Sequence, residues 1–237
     1  MIKDLVSIIM PVGNIKLNIL KQSFLSLKNQ NYEKIQLIIV CDTLNAQIIN
    51  YLKSYIKKNS NNTVLHFNKE NLGVTKSLNI ALKFAEGEFI ARFDSDDLIS
   101  KRRIQIQKEY LSKNSNIDIV FSNYKVFFFN KIFTFKKNIS KNDKIINWRM
   151  FFSNQFCHPS VMFRKTLVKK NQYIYENKYL VAQDYSLWTN LILAGVKFHI
   201  LDSYLYYLRL HKNSISSKKK ELQNNNSIDI GYSYLNN

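Results

Sequence analysis

Cysteine is scarce in this chain: two in 237 residues, Cys41 and Cys157, both in apolar surroundings and without metal-site spacing. That excludes a disulfide framework and makes a reduced, cytoplasmic setting the expectation. A long hydrophobic run is also missing. The most apolar late segment, 119–129, is interrupted by Asn123 and Lys125 and falls far short of the roughly 20 residues that a membrane-spanning helix needs. Residues 6–12 are too short an apolar run, and too polar at Ser7, for a secretory signal. Acidic side chains are the third shortage, with 17 Asp and Glu against 35 Lys and Arg, a formal charge of +18. The excess is uneven: residues 1–97 carry 12 basic and 9 acidic groups, whereas 98–237 carry 23 and 8, a net of +15. Such a surplus suits nucleic acid, an anionic membrane surface or an acidic substrate, and is also what a coding bias toward Lys, Asn and Ile produces. No nucleic-acid recognition motif accompanies it.

What is present is a chain that is 46% hydrophobic, enough to bury the core of one large α/β domain. Apolar runs at 5–10, 35–41, 63–67 and 89–93 have the length and β-branched content of buried strands. Helical spacing separates them: Leu17, Leu20, Phe24 and Leu27 over 17–29, then 45–58, then 74–84 closed by Gly87. This alternation predicts a mostly parallel sheet whose right-handed crossovers put Pro11, Asp42 and Asp94 on its carboxyl edge. Further on, a basic helix is expected over 101–112, a strand over 118–122, an aromatic hairpin over 124–135 and a polar loop over 136–147. A helix over 185–194 follows, N-capped by Asp184 and ended by Gly195, then the apolar segment 198–210. From Lys212 the Lys-, Ser- and Asn-rich tail reads as poorly ordered or interfacial.

The acidic residues concentrate where that sheet edge should lie. Asp94, Asp96 and Asp97 fall within four residues, directly after 89–93. Three like charges so close need water, a cation or hydrogen bonds to stay ionised. Hard oxygen ligands at a strand end suit Mg²⁺ or Mn²⁺ completed by substrate phosphates, in the position where open α/β sheets bind ligands. A solvated acidic turn capping the next helix through Asp97 or Ser100 is the structural alternative.

Seven stretches in register resemble the family 2 glycosyltransferases, over about residues 5–216. They are Val6-Ser7-Ile8-Ile9-Met10-Pro11-Val12, Ile38-Ile39-Val40-Cys41-Asp42, Asn71-Leu72-Gly73-Val74-Thr75-Lys76-Ser77-Leu78-Asn79 and Ala91-Arg92-Phe93-Asp94-Ser95-Asp96-Asp97. The others are His158-Pro159-Ser160-Val161-Met162-Phe163-Arg164, Gln183-Asp184-Tyr185-Ser186-Leu187-Trp188 and Tyr207-Leu208-Arg209-Leu210-His211. The resemblance implies a GT-A fold: a single domain with a nucleotide half at 1–97, an acceptor half at 98–216 and a basic tail at 217–237. It implies that Pro11, Val12, Asn14, Asp42, Asn71, Lys76, Arg92, Asp94, Ser95, Asp96 and His158 serve a nucleotide-diphosphate sugar, a UDP-sugar being favoured. It further implies Mn²⁺ or Mg²⁺ on Asp94, Asp96, Asp97 and His211. Asp184 matches the family's catalytic base, which takes the acceptor hydroxyl's proton during an inverting attack. The similarity is strongest to the branch that builds bacterial surface polysaccharides and lipooligosaccharides, which implies a saccharide or lipid-linked acceptor at the inner face of the membrane. Structural roles stand beside these: Asp42 as a turn cap, Lys76 as a solvated lysine, Trp188 as core, and Arg164 and Lys165 as either phosphate contacts or solvated cations. Gly13, Cys41 and Gln183 replace the Tyr, Asp and Glu usual in the family.

Overall fold

The first 97 residues repeat strand and helix three times before their last strand. Strands β1 (Ile2–Val12), β2 (Ile35–Cys41), β3 (Thr63–Phe67) and β4 (Gly87–Arg92) run parallel in the order β3-β2-β1-β4. Helices α1 (Leu17–Lys28), α2 (Ala46–Lys58) and α3 (Gly73–Phe84) connect them. The strands are apolar along their length because both faces are covered. Ile9, Ile38, Val40 and Ile90 pack with Leu78 and Ala81 of α3 in one layer. Val6, Ile8, Met10 and Ile39 pack with Leu20 and Phe24 of α1 and Leu52 of α2 in the other. Here and below, the computed structural model describes residues 1–128, 131–170, 175–176, 178–179, 181–210 and 220–236, without the side chains of 131–134, 143 and 220.

The chain after residue 97 continues the same sheet. It comprises β5 (Leu98–Ile99), α4 (Arg103–Lys113), β6 (Ile119–Phe128), β7 (Lys131–Lys137), α5 (Asp143–Met150) and β8 (Met162–Arg164). After these come α6 (Lys165–Lys169), α7 (Gln183–Leu193), β9 (Phe198–Leu210) and α8 (Lys220–Leu235). The order runs on from β4 as β8-β6-β9-β5, with β7 paired to β6. Strand β8 is antiparallel to both β4 and β6, so it joins two parallel blocks into one sheet. Strand order reverses beside β1, with β2 on one side and β4 on the other, and such switch points open a crevice at the carboxyl ends.

Several expectations are corrected. Residues 143–147 of the expected polar loop belong to α5, because Ile146 and Met150 one turn apart bury completely while residues 144, 145 and 147–149 face outward. The tail is helical over α8, anchored by buried Ile230. The strand expected at 118–122 and the first arm of the hairpin are one strand, β6. Asp184 lies in the first turn of α7, and the N-cap is Ala182 in the left-handed region at φ 64°. The other end follows expectation: Gly195, at φ 74°, donates to Ile192, and Val196 to Leu191, a Schellman closure.

Gly87 opens β4 and does not close α3. A Cβ there would lie 2.5 Å from the Leu5 carbonyl and 2.9 Å from Ser7 N and Oγ. We expect Gly87→Ala to force β1 and β4 apart and to cost roughly 1–3 kcal/mol in urea unfolding. A midpoint matching the parent chain would show that the strands tolerate the methyl group.

Candidate active site

Two turns after β4, the backbone delivers Asp94 to Asp97 to the carboxyl edge beside Pro11 and Val12, which end β1. The group at its centre is Arg92, itself buried. Its Nε donates to Asp94 Oδ1 at 2.8 Å and its Nη2 to Oδ2 at 3.1 Å, a two-pronged clasp that fixes the carboxylate plane. Nη1 of the same guanidinium lies against the imidazole of His158, 2.7 Å from Nε2, which is also 2.7 Å from the Tyr175 hydroxyl. A guanidinium only donates, so the ring must accept and is neutral. Burial first, and then the charge of Arg92, push its pKa well below the usual histidine range.

Beside the same imidazole stands Asp184, with Oδ2 3.8 Å from His158 Nδ1. Asn154 Nδ2 donates to the same oxygen at 2.7 Å. The Asp184 side chain keeps 24% of its surface open, so it can meet a ligand. Burial raises its pKa, while Arg92 and the amides at the start of α7 pull the other way. One arginine thus links the acidic loop, through His158, to Asp184.

The loop is held from behind. Asp97, named with the metal ligands, is buried, and both its oxygens accept within the protein: Oδ2 from the Tyr206 hydroxyl at 2.8 Å and Oδ1 from Arg209 N at 2.7 Å. Burial, with the Asp96 and Asp94 carboxylates, raises its pKa well above the ordinary range. Arg209 also donates through Nε to the Asp96 carbonyl at 2.7 Å and through Nη2 to Gln22 at 2.7 Å. Beneath lies Arg103 of α4, wholly buried, whose Nη2 donates to the carbonyls of Arg92, Pro159 and Val161 at 2.9, 2.9 and 3.2 Å. Its guanidinium carbon sits 4.9 Å from the centre of the Tyr206 ring. Burial brings its pKa down to about 10. Sequence reasoning passed over Arg103, Tyr206 and Arg209. The i, i+4 pairing of Arg103 with Gln107, on the same face as Ile104 and Leu111, is the signal that they point inward.

The other expected residues are more dispersed. Asp42 accepts from Asn68 Nδ2 and Leu72 N on Oδ1 and from Gly73 N on Oδ2, at 2.7–2.8 Å, so it caps the start of α3. Asn71 and Lys76 lie exposed at that helix start, and Asn14 is exposed beyond β1. Ser95 is buried inside the acidic loop and Asp96 partly exposed on it. Arg164 and Lys165 do not approach the site. Arg164 pairs in register with Phe89, at the amino end of β4, and its guanidinium holds the carbonyls of Leu111, Asn114 and Ile117. Lys165 donates to the Ala85 carbonyl. Trp188 is core, edge-on to Phe121 and His158. His211 lies outside the described residues.

Among the described residues no three His, Cys, Asp or Glu side chains gather into a metal cage. The donor chemistry fits a more open arrangement: Asp94 and Asp96 are partly exposed carboxylates on one loop, and Mg²⁺-type ions commonly bind one or two carboxylates and take their other ligands from phosphates and water.

Similarity to other proteins agrees with this architecture. The chain is 32% identical to "Bifunctional glycosyltransferase pgtA" of Dictyostelium discoideum over 89% of its own length, but spans only 32% of that protein. It is 29% identical to "UDP-Glc:alpha-D-GlcNAc-diphosphoundecaprenol beta-1,3-glucosyltransferase WfaP" of Escherichia coli, covering 92% of this chain and 83% of that one. Its fold superposes on S. aureus TarS 1-349 in complex with UDP-GlcNAc with a TM-score of 0.76 at 20% identity, over 98% of this chain and 72% of that one. Residues 7–171 match the family described as Glycosyl transferase family 2, well over half the chain, and with the GT-A-like sheet this means that the chain belongs to the family 2 glycosyltransferases.

Proposed function

We propose that this glycosyltransferase moves a sugar from a UDP-sugar to a hydroxyl of a saccharide or lipid-linked acceptor, with inversion at the anomeric carbon. Its product would belong to a cell-surface polysaccharide or lipooligosaccharide. The observation that carries the reading is Arg92, which clasps Asp94 of the acidic loop and lies against His158, with Asp184 beside the same imidazole. Similarity to a UDP-Glc:diphosphoundecaprenol-linked glucosyltransferase and to a UDP-GlcNAc-bound fold neighbour supports the donor and acceptor classes. Asp184, partly open and with a raised pKa, accepts the proton from the acceptor hydroxyl as the oxygen attacks. Asn154 holds the receiving oxygen in place. Neutral His158 adds no positive charge beside that base. Asp94, kept in plane by Arg92, and Asp96 would hold Mn²⁺ or Mg²⁺, with His211 a further ligand implied by the family resemblance. Such an ion supplies positive charge to the departing diphosphate. Asp97 turns inward and positions the loop. We place the enzyme in the cytoplasm, working at the inner face of a membrane.

Calorimetry with UDP and a panel of UDP-sugars, with Mn²⁺ or with chelator, tests this reading. Binding should need the ion. Asp96→Ala should weaken it by at least about tenfold, the lower end of what losing even a ligand's supporting partner costs. If no sugar nucleotide bound with or without Mn²⁺, the donor assignment would fall. Binding of equal strength in chelator would remove the metal alone.

A further inference from the structure

We propose that α5 and α8 together form a surface that docks on an anionic lipid bilayer, beside the acceptor end of the site. It rests on the membrane-facing acceptor reading above and identifies the side chains responsible. Ile145 and Trp148 of α5 and Phe152 in the turn just after it are spaced i, i+3 and i+7, with the two helical side chains on the side of α5 away from its core-facing Ile146 and Met150. Ile228, Tyr232 and Leu235 recur at i, i+4 and i+7 on α8, while Ile230 turns into the core. Trp148, Phe152 and the three α8 residues are between 59% and 71% exposed, far beyond what isolated surface apolars need.

The two stripes adjoin. Gly231 of α8 sits so close to Phe151 that a Cβ would lie 2.3 Å from its carbonyl oxygen. At 100° per residue, Ile228, Tyr232 and Leu235 fall on the side of Gly231 opposite Ile230. The Trp148 and Phe152 rings are 5.0 Å apart, edge to face.

The surroundings select the occupant. Exposed Lys144 and Arg149 fall on either flank of the α5 stripe, in the half of the chain whose net charge is +15. Aromatic and aliphatic side chains bracketed by cations, as on α5, match the boundary between acyl chains and anionic headgroups, where Trp and Tyr concentrate and each basic residue adds attraction, while Asp229 beside the α8 stripe is paired with Lys178. Placement agrees with use: from Phe152 the chain runs two residues to Asn154, which holds Asp184. A bilayer seated on this face would bring a lipid-anchored hydroxyl to the base with a short reach.

The test uses the full chain with vesicles of phosphatidylcholine plus phosphatidylglycerol, against phosphatidylcholine alone. Of the two tryptophans Trp188 is buried, so a lipid-dependent blue shift in emission reports Trp148. We expect cosedimentation and a blue shift with the anionic vesicles only. The double variant Trp148→Ser with Tyr232→Ser should lower apparent affinity by at least about tenfold, as loss of two buried aromatic surfaces requires. Lys144→Glu with Arg149→Glu should lower it at low salt and less at high salt. Both pairs are exposed, so circular dichroism melts should match the parent. The proposal is overturned if Trp148 does not respond to lipid or if the variants bind like the parent. It is equally overturned if Trp148 is covered in a dimer that forms without lipid. UDP binding measured without vesicles is a separate readout, so failure here leaves the glycosyl-transfer reading standing.

Discussion

Asp184→Asn should reduce turnover by roughly 10² to 10⁴-fold with UDP-sugar affinity unchanged, the usual size of a general-base contribution. The amide keeps the shape of the carboxylate and can still accept from Asn154, so the first turn of α7 stays in place. What it loses is the lone pair that takes the acceptor's proton. The pH profile adds a second readout. Because burial raises the Asp184 pKa above the ordinary value of 3.8, the acid limb of turnover should lie above it, with activity lost as pH falls through the raised pKa. That limb should vanish in the variant. Stopped turnover together with weakened donor binding and a lower melting temperature would report unfolding. Near-normal turnover with intact binding would assign the base elsewhere.

Arg103→Leu should be the most destabilising single change near the site, although Arg103 touches no bound molecule in the proposed mechanism. Three carbonyls from two different segments lose their shared donor, and Tyr206 loses the cation over its ring. Removing a buried charge and its unpartnered Nη1 relieves some desolvation, and the Val161 carbonyl keeps the Arg92 amide, but the carbonyls of Arg92 and Pro159 lose this buried donor at a cost of about 1–3 kcal/mol each. We expect a net loss of about 3 kcal/mol or more, which lowers the melting temperature by roughly 6–12 °C for a chain of this size. Donor binding should weaken with it, because the carbonyl of Arg92 is one of the three. Arg103→Lys should recover only part, since an ammonium has no planar fork to stack on Tyr206. A Leu variant melting within about 2 °C of the parent would contradict this account.

The first four strands and their helices were legible in the sequence for a simple reason. Parallel strands covered on both faces read as unbroken apolar runs, and their connecting helices keep a clear 3.6-residue period, so β1 to β4 and α1 to α3 were recognisable within a few residues. The elements that escaped have weak patterns. Only Ile146 and Met150 tie α5 to the core, and α8 has its apolar side chains spread around the helix, partly inward at Ile230 and partly outward at Ile228 and Tyr232. The acidic loop stood out by composition alone. Its supports did not, because a buried arginine on a helix that is otherwise basic looks like one more solvated cation. Asp184 was found but misplaced at the helix end: Ala182 takes the left-handed turn that a side-chain cap would have replaced.

The grip on Asp97 bears on how the protein comes into being. Its two partners, the Tyr206 hydroxyl and Arg209 N, lie 109 and 112 residues later in the chain. During synthesis β1 to β4 can assemble early, yet the carboxyl at the root of the acidic loop has neither partner until β9 emerges and inserts between β6 and β5. Contacts this distant in sequence form slowly, since a long loop must close before they return any energy. The donor pocket would therefore be among the last parts to take shape, although most of its residues are translated first. A nascent or truncated chain ending before 206 should fold its first four strands and still fail to hold a nucleotide sugar.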